Sequence, residues 1–142
     1  GRTVHSLVKA LKHFHPIIYF VSPSMLSMPQ YLLDDLDDAG VIYYIEENFT
    51  GCLDKLDVFY MTRIQRERFP DPEEYEKVKG VYIINRGNIE GKCKDDMIIM
   101  HPLPRVNEID VDLDTTKYAR YFEQARNGIP IRQAMMMLSL ER

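Results

Sequence analysis

The chain has 142 residues, enough for one domain with a hydrophobic core. It is 45% hydrophobic and 28% charged, an ordinary soluble composition, and its net charge of −4 argues against a nucleic-acid module, which carries a basic stripe. No apolar run reaches membrane-spanning length and no signal peptide is visible, while Cys52 and Cys93, without a CxxC, read as free intracellular thiols with a disulfide left open.

Taken in order, Thr3 to Phe14 reads as a helix, with Val4, Leu7, Val8 and Leu11 at helical spacing and Thr3 as N-cap. His15-Pro16 ends it. Ile17 to Val21 is an apolar strand. A second helix runs from Pro29 through Leu36 to Gly40, with Asp34, Asp35, Asp37 and Asp38 on its solvated side. Strands follow at Val41 to Ile45 and Val58 to Met61, separated by a poor helix over 46–55. Beyond Pro70-Asp71-Pro72 comes a short helix, Glu73 to Val78, then a strand, Val81 to Ile84, and a strand, Met97 to Met100. Asp112 to Ala125 reads as a helix on Tyr118, Tyr121 and Phe122, broken at Asn127-Gly128, and Pro130 to Leu140 as a last, methionine-rich helix that either fills core or packs on something outside the chain. Alternating strands and helices predict an α/β fold, a doubly wound, mainly parallel sheet flanked by helices (Rossmann-like). The opening helix is expected to follow a strand upstream of Gly1.

Chemistry concentrates at two strand exits. The apolar run Ile98-Ile99-Met100 meets His101-Pro102-Leu103-Pro104-Arg105, where two prolines fix φ and remove two N–H donors. That makes a rigid loop at the carboxyl edge of a sheet, where α/β folds bind ligands. At the other exit Arg63, Gln65, Arg66 and Arg68 crowd together. In an acidic chain such guanidinium excess invites a carboxylate or phosphate, with surface ion pairs to Glu67, Glu73 or Glu74 as the plainer alternative. Arg2 and Arg105 repeat the theme. His101, as a lone strand-end histidine, reads first as a satisfied structural residue. No nucleotide fingerprint, zinc spacing or nucleophilic triad is present in the sequence. The residues alone therefore stop at a sheet edge that binds a small anion.

Several segments resemble the aspartate carbamoyltransferase family in order along nearly the whole chain: Gly1-Arg2-Thr3-Val4-His5-Ser6-Leu7, Met28-Pro29-Gln30-Tyr31, Tyr60-Met61-Thr62-Arg63-Ile64-Gln65-Arg66-Glu67-Arg68, His101-Pro102-Leu103-Pro104-Arg105-Val106-Asn107-Glu108-Ile109 and Tyr121-Phe122-Glu123-Gln124-Ala125-Arg126-Asn127-Gly128. The resemblance covers only the second, aspartate-binding half of that catalytic chain. It implies carbamoyl transfer from carbamoyl phosphate to L-aspartate in pyrimidine synthesis, without a cofactor or metal, in the cytoplasm. It implies that Arg2 and Arg63 hold the two aspartate carboxylates, with Gln65 beside Arg63. It implies that the backbone carbonyls of Leu103 and Pro104 face the carbamoyl phosphate amide across a cis Leu103–Pro104 peptide. Arg68, Glu74, Pro102 and Arg105 would support the site.

The expected partners are an N-terminal carbamoyl-phosphate domain and a homotrimer, with regulatory chains or a multifunctional parent left open. The expected organisation is an aspartate-binding domain over 1–127, incomplete at its start, and a C-terminal helix over 128–142 that packs on the carbamoyl-phosphate domain. This segment alone is expected to be inactive. Ornithine carbamoyltransferase has Cys where Pro102 stands, so the HPLP sequence favours aspartate as acceptor. The alternatives are an ornithine-type enzyme and a non-catalytic anion-binding module of the same fold.

Overall fold

A computed structural model describes residues 2–64, 69 and 71–140, without the side chain of Arg2. Gln65 and Arg68, both expected in the site, lie outside the described residues. The chain forms two compact units, Gly1–Asp54 and Lys55–Arg142.

In the first unit, helix α1 (Arg2–Leu11) runs into a 3-10 turn, Lys12–Phe14. Thr3 lies within α1 and is not its cap. His15 stops the turn in the left-handed conformation at φ 47°. Strand β1 (Ile18–Val21) pairs in parallel with β2 (Tyr43–Glu46), and α2 (Gln30–Asp38) connects them. Apolar periodicity on α1 and α2 buries one stripe of each. Val8, Leu33 and Leu36 pack with Phe20 and Val41 into one core. The acidic face of α2 is solvated, with Asp35 bonded to Lys12 at 2.6 Å. Gly40 at φ 67° closes α2, a conformation that strains residues with a Cβ. The helix expected over 46–55 is instead two 3-10 turns, Phe49–Gly51 and Leu53–Lys55. The Asn48 side chain accepts from the Thr50 N–H at 2.9 Å, a local bond that competes with a regular helix.

In the second unit, β3 (Val58–Tyr60) pairs in parallel with β4 (Ile98–Met100). Helices α3 (Pro72–Val78), α4 (Arg86–Ile89) and α5 (Tyr121–Leu140) complete it. The α/β class with parallel strands is as the alternation predicted, and four local expectations are corrected. Val81 to Ile84 is not a strand: only Ile84 reaches a ladder, as an isolated parallel bridge to Ile109, because the turn leaving α3 and the Asn85 cap of α4 take the residues on either side. The stretch 112–120 is not an α-helix: a 3-10 turn, Val111–Leu113, gives way to turns. Ile99 donates to Tyr118 O at 2.8 Å and accepts from Arg120 at 3.0 Å, so sheet pairing overrides the helical period there. And α5 does not break at Asn127-Gly128 or Pro130 but is continuous to Leu140. Gly costs about 1 kcal/mol and Pro about 3 in a helix, and the Ala, Met, Leu, Gln and Arg that follow are strong helix formers. The reading of its methionines as core is also corrected: Met135, Met136 and Met137 are each more than 60% exposed.

Neither cysteine is in a disulfide. No helix among the described residues is long and apolar enough to cross a membrane.

Candidate functional site

The register of β3 and β4 brings the two strand exits together. Tyr60 pairs with Met100, so Arg63 and Leu103 stand at the same offset, three residues beyond paired positions. The Met61 N–H still donates to Met100 O at 2.9 Å, carrying the ladder to the edge. Arg63 is exposed and lines a recess with Thr62, Tyr75, Lys79, Tyr82 and Asn107. Lys79 forms an ion pair with Glu76. Glu74 sits half-buried on α3, which Asp71 caps by accepting from the Glu73 N–H at 2.8 Å. Arg2 opens α1, in the other unit.

The proline loop is held at four points. The His101 N–H donates to Gln124 Oε1 at 2.9 Å, which ties the loop's first residue to the first turns of α5. The Leu103 N–H donates to His101 Nδ1 at 2.9 Å. The Arg105 guanidinium donates to both Asp114 carboxylate oxygens, at 2.6 Å from Nη2 to Oδ2, and to the Tyr121 hydroxyl at 3.2 Å. The Val106 and Asn107 N–H groups both donate to Glu108 Oε2 at 3.1 Å. Between these anchors Leu103 adopts φ 51°, and the Leu103–Pro104 peptide is cis, as the resemblance predicted. A left-handed conformation is unfavourable by about 1–2 kcal/mol for a residue with a Cβ, so it persists where its surroundings fix it. Pro102 and Pro104 are exposed, Leu103 half-buried.

Two polar clusters under the loop went unassigned by the sequence reading. One is His101–Glu108. Both residues are buried, and Nε2 lies 2.8 Å from Glu108 Oε1. Burial pushes the His101 pKa below its usual range, against the upward pull of Glu108. Burial pushes Glu108 up, but the N–H groups of Glu108, Val106 and Asn107 together with His101 outweigh it, and the carboxyl stays below the ordinary value. The other is Arg105–Asp114–Tyr121. The Arg105 hydrogen bonds hold the Asp114 carboxyl low, and Asp114 in turn raises Arg105. Burial foremost, then Asp114, pushes the Tyr121 hydroxyl well up. The Arg105 guanidinium also stands 5.4 Å from the Tyr121 ring centroid and 5.7 Å from that of Phe122. Arg105 is thus committed to the loop's own anchorage. Glu108 had a signal, since it lies within the quoted run from His101 to Ile109. Asp114 had none, because nothing in its local sequence marks it as a partner of Arg105. Among the described residues no group of three or more His, Cys, Asp or Glu could hold a metal ion.

What this edge can do chemically is bind an anion beside a rigid turn that displays carbonyl oxygens. The family model "Aspartate/ornithine carbamoyltransferase, Asp/Orn binding domain" matches residues 1–139. The chain is 56% identical over 141 residues to an aspartate carbamoyltransferase catalytic subunit of Brachyspira hyodysenteriae, covering 99% of this chain and 39% of that protein. Among solved structures, the catalytic subunit of M. jannaschii aspartate transcarbamoylase superposes with a TM-score of 0.86 at 52% identity, over 96% of this chain and 44% of that one. Trypanosoma cruzi aspartate transcarbamoylase in complex with carbamoyl phosphate and aspartate superposes with a TM-score of 0.86 at 35% identity, over 96% and 46%. The chain therefore spans less than half the length of the relatives it matches.

Proposed function

The chain belongs to the aspartate/ornithine carbamoyltransferase family, as an Asp/Orn-binding domain, and we propose that it supplies the acceptor-binding half of an enzyme that transfers a carbamoyl group from carbamoyl phosphate to L-aspartate, a step of pyrimidine synthesis. The observation that carries this is the shared strand edge: Arg63 and the Leu103–Pro104 turn leave paired strands at one register. The relatives' names and the complex with carbamoyl phosphate and aspartate support aspartate as the acceptor.

In this reading Arg63 and Arg2 hold the two carboxylates of aspartate, with Gln65 beside Arg63. A guanidinium fork suits a carboxylate bidentately and offsets its repulsion from the phosphate of the second substrate. The carbonyls of Leu103 and Pro104 accept from the carbamoyl amide and orient its carbon toward the aspartate amine. The neutral amine attacks that carbon, the C–O bond to phosphate breaks, and phosphate leaves with its electron pair and takes up the proton the amine sheds. Catalysis is by proximity and by fixed charges rather than by a covalent enzyme intermediate. Arg68 and Glu74 belong to the shell that holds the loop and closes the domains, and Pro102 and Arg105 support the site. Carbamoyl phosphate is bound chiefly by a second, N-terminal domain, onto which the C-terminal segment 128–142 packs, in a cytoplasmic trimer.

The test is to purify this segment, measure carbamoylaspartate formation, and then add a carbamoyl-phosphate domain. Activity on mixing, and none from the segment alone, is expected. Activity from the segment alone, or transfer to ornithine in preference to aspartate, overturns the assignment.

A further inference from the structure

His101 is used by none of the steps above, yet it is almost fully buried, at 1% exposure. Its two ring nitrogens have different partners. Nδ1 accepts from the Leu103 N–H at 2.9 Å, so its lone pair is in use and the ring proton belongs on Nε2. Nε2 then donates to Glu108 Oε1 at 2.8 Å. Glu108 is fixed in turn through Oε2 by the N–H groups of Val106 and Asn107. A carboxylate that selects the tautomer of a neighbouring imidazole is a familiar orienting arrangement. Here the oriented atom, Nδ1, is spent on the N–H of Leu103, the residue held at φ 51°. At that φ a residue with a Cβ is confined to the small left-handed region, which also narrows ψ and with it the direction of the Leu103 carbonyl.

We propose that His101 is a positioning residue for carbamoyl phosphate: Glu108 holds the imidazole with Nδ1 bare, and Nδ1 aims the Leu103 carbonyl by holding its N–H. The proposal rests on the reading that this carbonyl meets the carbamoyl amide. A merely structural histidine would fill the core and pair with Glu108, and the two roles divide between the two ring nitrogens. Asparagine carries its amide on the same Cγ as Nδ1, so His101→Asn can keep an acceptor for Leu103 while losing reach to Glu108. His101→Gln reaches toward Glu108 and leaves the Leu103 N–H without its acceptor.

The experiment uses the complete enzyme, with KM for each substrate measured in both variants and amide hydrogen exchange measured at Leu103. In the wild type the Leu103 amide exchanges slowly without ligand, and an unprotected amide overturns the proposal before any variant is made. His101→Gln is expected to lose that protection. Its KM for carbamoyl phosphate is expected to stand about tenfold above that of His101→Asn, the scale of one lost hydrogen bond, with a far smaller difference for aspartate. A KM for carbamoyl phosphate that rises equally in both variants, or more in the Asn variant, overturns it. Loss of protection with no change in that KM also overturns it, and places the fault in the reading of the carbonyl rather than in the histidine.

Discussion

Removing the Asp114 carboxylate tests whether the proline loop is anchored as one unit. In Asp114→Ala, Arg105 loses its two carboxylate acceptors and the Tyr121 hydroxyl loses the oxygen it donates to. The Arg105 and Asp114 side chains are 16% and 27% exposed, so water repairs part of the damage. Hydrogen bonds to a charged group are worth about 1.5–3 kcal/mol, and a buried hydroxyl hydrogen left without an acceptor costs about 1–3 kcal/mol. Discounted for exposure, the expected loss is about 2–4 kcal/mol of stability. Tyr121→Phe alone should cost about 1–1.5 kcal/mol. Once Asp114 is gone the hydroxyl has only Arg105 as a partner, so deleting both groups should cost scarcely more than Asp114→Ala. The cycle should therefore show a coupling of about 1 kcal/mol. Urea unfolding followed by far-UV circular dichroism measures it, with equal m-values as the check that both states are unchanged in extent. Costs that add to within about 0.5 kcal/mol would show that the three groups act independently, and the single-anchor argument would fail.

Stability should fall on the acid side in two stages. His101 has a folded pKa lowered from 6.5, so above that value both states hold it neutral and its contribution is complete; as pH falls below 6.5 the unfolded chain takes up a proton that the folded chain refuses. Glu108 has a folded pKa lowered from 4.5, so its contribution is present above that value and drains away as pH falls through the folded one. Urea midpoints against pH should slope downward below 6.5 in the wild type and less in His101→Gln; equal slopes would remove His101 as the cause. Arg63→Ala should weaken aspartate binding by about 2–5 kcal/mol and slow turnover, and Arg63→Lys should not restore it because the fork is lost. Near-normal aspartate kinetics in the Lys variant would take Arg63 out of the site. Leu36→Ala, at a residue with 0% exposure, should cost about 2–5 kcal/mol in urea unfolding, and a loss under 1 kcal/mol would contradict its place in the core.

Elements with a strong local signal were legible in the sequence. α1 and α2 each carry an apolar stripe, and the two-proline exit from β4 is fixed by its own residues. Where tertiary partners decided the outcome, the sequence misled. The stretch before Tyr121 has helical spacing, but β4 recruits Tyr118 to Arg120 by backbone pairing. Asn127-Gly128-Ile129-Pro130 looks like a break, yet the helix formers after it carry α5 through. In the site, Arg63 and Leu103 could be found by residue type, but their common register could not, since it depends on how two strands 40 residues apart align. His101 was read correctly as a satisfied residue, while the identity of its partners required the fold.

α5 has a mechanical consequence. Twenty residues at about 1.5 Å each make a rod about 30 Å long, and Tyr121, at its root, is its one fully buried residue. Tyr121 and Gln124 at that root are also the side chains that grip Arg105 and the His101 backbone. The helix is a cantilever whose clamp is the proline loop. A tilt of about 5° at the clamp carries the tip about 2.5 Å, from the rod length alone. Displacements of the loop too small to notice locally are thereby magnified at Leu140, and a load applied there returns to the loop with the same leverage.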